Sequence, residues 1–141
     1  MTVEALWEQC FPNDRCYRSN PHVIIRAGHV VSMIHWHRMT IRGCRCAYIF
    51  GVATHPAHRG QGLASRLISD LLENLNGFDL AVLVAEKPSL TAFYERFGFA
   101  VRGCLPDDGR NVLIKRLRGA GPDEQTYIEL AREIKIFEDE E

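Results

Sequence analysis

The chain has no apolar run long enough to cross a bilayer as a helix, so nothing in it reads as a membrane span. Its first residues, MTVEALWEQCFPND, lack the basic start and apolar follow-on of a signal peptide. Neither sign of charge dominates: 17 Lys and Arg stand against 18 Asp and Glu, a formal net charge of −1. That balance offers no basic surface for nucleic acid or for a membrane. The five cysteines are an odd number, and their spacing suggests no disulfide framework. Reduced thiols in a cytoplasmic protein are the expectation. Internal repeats and low-complexity tracts are also missing. What remains is a chain of 141 residues, 46% apolar and 25% charged, enough for one globular domain with a real core.

Periodicity divides the chain into α/β order. Glu4 to Cys10 reads as a short helix, ended by Pro12 and the turn residues Asn13-Asp14. The β-branched stretch after it breaks at Ala27-Gly28 and Arg42-Gly43, which predicts an antiparallel meander over about 22–27, 29–40 and 44–54. In the third strand, alternation places Cys46, Tyr48, Phe50, Val52 and Thr54 on one face. Gln61 to Leu75 carries an apolar stripe at helical spacing, and Asn76-Gly77 marks its end. Leu80 to Ala85 is continuously apolar, as in a strand buried on both faces. Ser89 is the expected N-cap of a helix through Phe97, stopped by Gly98. Phe99 to Arg102 starts a strand, Asp107 to Arg110 makes a hairpin turn, and Asn111 to Leu117 returns. Gly119 to Pro122 is linker-like, and Asp123 caps a last helix. The third strand, its helix and the fourth strand form a crossover unit, so those two strands are expected to be parallel.

The chemistry gathers where the third strand turns into a helix. A helix N-terminus leaves backbone N–H groups unpaired and carries partial positive charge. Glycines just before it let those groups approach a phosphate without a Cβ in the way. Arg59-Gly60-Gln61-Gly62-Leu63-Ala64 has the parts of a pyrophosphate cradle. It is not a Walker A loop, because no Lys-Ser/Thr comes after it, and Ser65 stands where the dinucleotide fingerprint wants glycine. An ordinary strand-to-helix turn would also use two glycines.

Arg59-x-x-Gly62-x-Ala64, after a strand ending Val52-Ala53-Thr54-His55-Pro56, resembles the acyl-CoA signature of the GNAT family of N-acetyltransferases. Phe93-Tyr94-Glu95-Arg96-Phe97-Gly98-Phe99 resembles that family's second hallmark. The two motifs come in the family's order with one strand between them, and the likeness runs over roughly residues 22 to 117. Within the family, the stretch from Val31 to Leu67 looks most like the acetyltransferase domain of the Eis-like branch.

The resemblance implies the GNAT fold: a mixed sheet in which the strands ending at Thr54 and Ala85 splay apart. It implies acetyl-CoA as co-substrate. The pantetheine arm would pair with the backbone of Val52, Ala53 and Thr54. The pyrophosphate would lie on Arg59, Gly60, Gln61, Gly62, Leu63, Ala64 and Ser65. A primary amine, on a small molecule or a protein, would attack the thioester directly. Tyr94 matches the family's general acid. Thiol and phenol pKa values, about 8.5 and 10, are close enough for a tyrosine to protonate a departing thiolate. As a core aromatic at helical spacing, the same residue would need no such role.

The chain also departs from the family pattern. Many members have an asparagine seven positions before the tyrosine, where this chain has Lys87 and then Pro88. The family fold usually opens with a strand and a helix for which the stretch before residue 22 has little room. The domain is expected to comprise residues 1–21 as helix and loop, 22–117 as core, and 118–141 as linker and extra helix. That last helix covers the sheet, or packs on a second copy in a homodimer. No general base stands out among Glu86, His35, His37, His55 and His58. His35, His37, Cys44 and Cys46 would suit zinc only if adjacent strands brought them together, and no metal is expected. The competing function is a non-enzymatic acyl-CoA-binding module.

Overall fold

Two tight turns set the first half of the fold. Ala27 and Gly28 both have positive φ, 51° and 78°, and so do Arg42 and Gly43, 51° and 80°. Paired positive φ is the twist that joins two strands through two residues. The computed structural model describes residues 2–11, 21–106, 108–119 and 121–139, and in it those turns join β1 (His22–Arg26), β2 (His29–Ile41) and β3 (Cys44–Thr54). The expected meander is therefore present. β1 runs antiparallel to β2, with Ile24 opposite Ser32 and an irregularity after Ile24.

The remaining strands are β4 (Leu80–Val84), β5 (Ala100–Cys104) and β6 (Asn111–Arg116). The sheet is mixed and its order is β1-β2-β3-β4-β6-β5, so β3 and β4 are neighbours joined by a helical crossover. β4 pairs antiparallel with β6, Val82 opposite Ile114, and β6 with the edge strand β5. Leu80 to Leu83 are all buried, as the unbroken apolar run requires, whereas every residue of β5 is exposed.

The helices are α1 (Val3–Cys10), α2 (Leu63–Glu73), α3 (Thr91–Glu95) and α4 (Glu124–Asp139). The Thr2 hydroxyl caps α1 by accepting from Ala5 N–H at 3.1 Å. Asp123 caps α4 as expected, accepting from Thr126 N–H at 3.0 Å. α2 starts and stops inside the range the apolar stripe suggested. Its end comes at Glu73 because Asn74 closes it: the side-chain amide of Asn74 donates to the Asp70 carbonyl at 2.7 Å.

Ser89 is not an N-cap. Pro88 opens a 3-10 turn over Pro88–Leu90, and only Thr91–Glu95 is α-helical. Proline fixes φ and has no N–H, which suits the first position of such a turn. Pro12, Asn13 and Asp14, expected to end the first helix, lie outside the described residues, as do Asp107, Ala120 and the last two residues of the tail.

The chain forms two compact units. The first comprises Met1–His37 and Ile49–Asn74, the second Arg38–Tyr48 and Leu75–Glu141. In the first, α1 buries Leu6 and Trp7 against Met33 of β2 and Ala53 of β3, with Phe11, Val23 and Phe50 packed around them. α2 lies against β1 and buries Leu63, Leu67, Ile68 and Leu71. In the second, α4 lies against β5 and buries Leu130 and Ile134 completely. An ion-paired Asp79 ties strand ends together there. Its carboxylate accepts from Arg45 N–H at 2.9 Å and from Arg118 Nε at 2.7 Å, while its N–H donates to the Arg45 carbonyl.

The predicted alternation along β3 does not survive its length. Cys46, Ala47, Tyr48 and Ile49 are buried in succession, so both faces are covered. Gly51 then adopts φ +60°, a left-handed residue inside a strand. Such a residue kinks the strand and re-aims the residues after it. Beyond it Ala53 is buried, while Val52 and Thr54 are half-buried. Only glycine fits there. A Cβ on Gly51 would lie 2.8 Å from His35 Cδ2 and closer still to the Trp7 ring.

This core can be probed at two positions. Gly51→Ala combines a left-handed strain of about 1–2 kcal/mol with overpacking of about 1–3 kcal/mol. Urea unfolding should show a loss in that combined range; a loss below about 0.5 kcal/mol would mean the rings move aside freely. His35 is almost fully buried, with Trp7 edge-on at 5.0 Å and Phe50 stacked at 5.5 Å. Burial depresses its pKa to about 4. An unfolded histidine takes its proton near 6.5, so the stability tied to neutral His35 is complete above that pH and is lost as pH falls toward 4. The full effect is about 3 kcal/mol. The unfolding free energy of His35→Phe should fall less between pH 7 and pH 4.5 than that of the wild type; equal falls would refute the assignment.

Candidate active site

The end of β3 is held by its neighbour. His55 N–H donates to the Val31 carbonyl of β2 at 2.7 Å. The His55 ring then turns to the adjoining 3-10 turn, Pro56–His58, where Nδ1 accepts from Ala57 N–H at 3.1 Å. The His58 ring lies edge-on to it at 5.8 Å. Both histidines therefore shape the turn.

Arg59 leaves that turn and folds back, its Nε donating to the Thr54 carbonyl at 3.1 Å. Gly60 and Gly62 come next, with φ +79° and +73°. Their positive φ is a second reason for glycine besides backbone access. Neither Cβ position has a neighbour within 4 Å, so side-chain packing is not what requires these glycines. Gly62 is the N-cap of α2, and its carbonyl accepts the first helical bond, from Arg66 N–H at 3.0 Å. No described side chain caps this helix. The N–H groups of its first turn, Leu63 to Ser65, are the ones an α-helix leaves without an intrahelical partner.

The structure brings Val52, Ala53, Thr54, Arg59, Gly60, Gln61, Gly62, Leu63, Ala64 and Ser65 together as one continuous strand end, turn and helix start in the first unit. Ala53 and Leu63 turn their side chains into the core, so only their backbone is available. Gln61 is exposed, and Ala64 and Ser65 are half-buried.

Tyr94 belongs to the second unit. It sits in α3 with 8% of its surface exposed, its ring edge-on to Phe93 at 5.1 Å and to Phe99 at 6.4 Å. Burial, aided by the Glu86 carboxylate, pushes its phenol up to about 12. The near-match of phenol and thiol acidity expected from ordinary values therefore does not hold in this structure. Glu86 is itself engaged, accepting from Arg110 Nη1 at 3.0 Å. Lys87 and His37 are exposed.

The zinc grouping does not assemble. Cys44 and Cys46 approach each other to 3.9 Å, His35 packs among aromatic rings, and no group of three or more metal-ligating side chains converges among the described residues. Two residues that shape the site were missed. Gly51 had a legible signal, since an isolated glycine inside a strand pattern marks a bulge or a close approach. Ser32 of β2 had none.

A strand whose end is pinned, a glycine turn and a helix N-terminus without a side-chain cap thus come in succession here. The family model described as acetyltransferase (GNAT) domain matches residues 3–102, and the chain belongs to that family. Among solved structures, the chain is similar to the GNAT N-acetyltransferase YhbS of Escherichia coli in complex with CoA. The identity is 26%, covering 64% of this chain and 54% of that one, with a TM-score of 0.54. It is also similar to an acyl-CoA N-acyltransferase of Pseudomonas aeruginosa, at 20% identity over 80% of this chain and 86% of that one, TM-score 0.64. Eis1 of Mycobacterium abscessus shares 15% identity over 72% of this chain and 28% of its own, TM-score 0.60. The Eis-like likeness thus stands at the level of fold. No curated protein matches the sequence significantly.

Gly62→Val tests the cradle. A branched side chain would stand in the open space beside the first N–H groups of α2. Acetyl-CoA affinity should fall at least tenfold, while the left-handed strain costs about 1–2 kcal/mol and leaves the circular dichroism spectrum intact. Wild-type affinity in that variant would remove the cradle assignment. Arg59→Ala should weaken binding less, because an exposed ion contact contributes modestly.

Proposed function

We propose that the chain is an N-acetyltransferase that moves the acetyl group of acetyl-CoA to a primary amine by direct attack. The observation that carries the reading is the uncapped start of α2 behind the two left-handed glycines, in a chain of this family. The N–H groups of that turn would hold the pyrophosphate, and Arg59 would add charge beside it. The backbone of Val52 to Thr54 would pair with the pantetheine arm.

In the reaction the amine nitrogen forms a bond to the acetyl carbon and the carbon–sulfur bond breaks. The amine gives up one proton to solvent, and the departing thiolate takes one back from solvent. We assign Tyr94 to the sulfur. Its raised pKa keeps the phenol protonated across the working range, so the proton is always present. Full transfer to a thiolate, whose conjugate acid has a pKa of about 8.5, is uphill. The phenol therefore acts chiefly as a hydrogen-bond donor to sulfur as negative charge develops there. A buried donor aimed at developing charge contributes about 10²- to 10³-fold. Glu86 is ion-paired to Arg110, and no residue is assigned as general base. The acceptor is an amine on a small molecule or a protein.

The competing reading, an acyl-CoA-binding module without turnover, keeps the cradle and makes Tyr94 a packing residue. Thiol release over a panel of amines separates the two: free CoA from any amine supports the enzyme, and tight binding without release from the whole panel supports the module. Tyr94→Phe should lower kcat about 100-fold with little change in acetyl-CoA affinity. The sign of the pH dependence is also set. Tyr94 works protonated, so it should impose no loss of kcat below about pH 11. A kcat within twofold of wild type, in a variant that melts normally, would leave Tyr94 without a chemical role.

A further inference from the structure

Ser32 lies on β2 and is fully buried. Its Oγ is 3.2 Å from the Ala53 carbonyl and 2.9 Å from Thr54 Oγ1. A hydroxyl has one proton to give. Since a carbonyl can only accept, Ser32 donates to Ala53, and the Thr54 hydroxyl donates to Ser32. This short relay closes every hydrogen-bonding need of a buried side chain across two strands.

The relay also decides where the backbone of β3 points. The Ala53 carbonyl and the His55 N–H are both directed at β2. Successive residues of a strand direct their backbone groups to opposite sides. The Val52 carbonyl and the N–H and carbonyl of Thr54 therefore turn away from β2. The Thr54 carbonyl is already engaged, accepting from Arg59 Nε. With the Thr54 carbonyl taken by Arg59, the groups facing outward include one acceptor, on Val52, and one donor, on Thr54.

We propose that Ser32 is a positioning residue for the pantetheine arm of acyl-CoA. It anchors Ala53 and the Thr54 hydroxyl to β2, so that the Val52 carbonyl and the Thr54 N–H meet the two amides of the arm. One amide N–H is received by Val52, and one amide carbonyl is received by Thr54. Arg59 holds the strand end through Nε and keeps its two terminal nitrogens for phosphate. This assignment rests on the acetyl-CoA reading above and narrows it to two backbone groups.

Titration of acetyl-CoA and of ADP, which has the pyrophosphate but no pantetheine arm, tests it on wild type and Ser32→Ala, with melting run alongside. Ser32→Ala should raise the acetyl-CoA Kd about three- to tenfold, the scale of one buried neutral hydrogen bond, and the ADP Kd by less than twofold. A merely structural serine would lower the melting temperature without this split. Equal weakening of both ligands, or an acetyl-CoA Kd within twofold of wild type, overturns the proposal. If the wild-type chain binds neither ligand, the acetyl-CoA reading itself falls; if it binds both and Ser32→Ala changes nothing, only the role of Ser32 falls. Should Ser32→Ala not fold, Thr54→Val removes the other hydroxyl of the pair at a half-buried position and should give the same split.

Discussion

The hydrogen bond from His55 N–H to the Val31 carbonyl holds the end of β3 against β2, and the candidate site is arranged around it. The turn beyond it has little packing of its own: Arg59 to Gly62 are exposed, and the two glycines have open space at their Cβ positions. Such a turn keeps one geometry only if its entry and exit are fixed. The entry is fixed by the bond to Val31, by the Ser32 relay and by Arg59 on the Thr54 carbonyl. The exit is fixed by α2, whose apolar stripe is buried and whose first bond starts at Gly62. The helix N-terminus is thereby aimed without any side chain capping it, which leaves its partial positive charge available to an anion.

A second center of organisation is Arg110. Its guanidinium donates to Asp108 at 2.9 Å, to Glu86 at 3.0 Å and to Glu138 at 2.6 Å. Three carboxylates around one cation hold its proton more firmly than usual. Glu138 also accepts from the Tyr48 hydroxyl at 3.3 Å, and Phe137 meets the Tyr48 ring edge-on. The end of α4 is therefore fastened to β3, to the hairpin before β6 and to the residue just past β4. The same Glu86 helps keep the proton on Tyr94. Packing of the last helix and the acidity of the candidate catalytic phenol are in this way linked through one arginine.

The long elements were legible because their periodicity is strong. The stripe from Leu63 to Leu71 announces a helix with one buried face, and Leu80 to Val84 announces a strand covered on both sides. The hairpin glycines announced the meander. The short elements were not legible. Ser89 has the chemistry of an N-cap, yet Pro88 beside it imposed a 3-10 turn and left α3 with five residues. In β3, alternation failed at Gly51, where two rings from other elements occupy the space that a side chain would need.

Local chemistry was written in the chain from the start: the glycine pair, Arg59 before it, the helix behind it, and two motifs whose order and spacing define the family. These depend on residues close together in the chain, where backbone preference and spacing act directly. Folding supplied the other half. It set Ser32 beside Thr54, 22 residues away, and Trp7 against Gly51. It also moved the acidity of Tyr94 and His35 through burial. Strand register and desolvation depend on which groups the folded chain brings alongside a residue, and neighbours along the sequence carry no record of that.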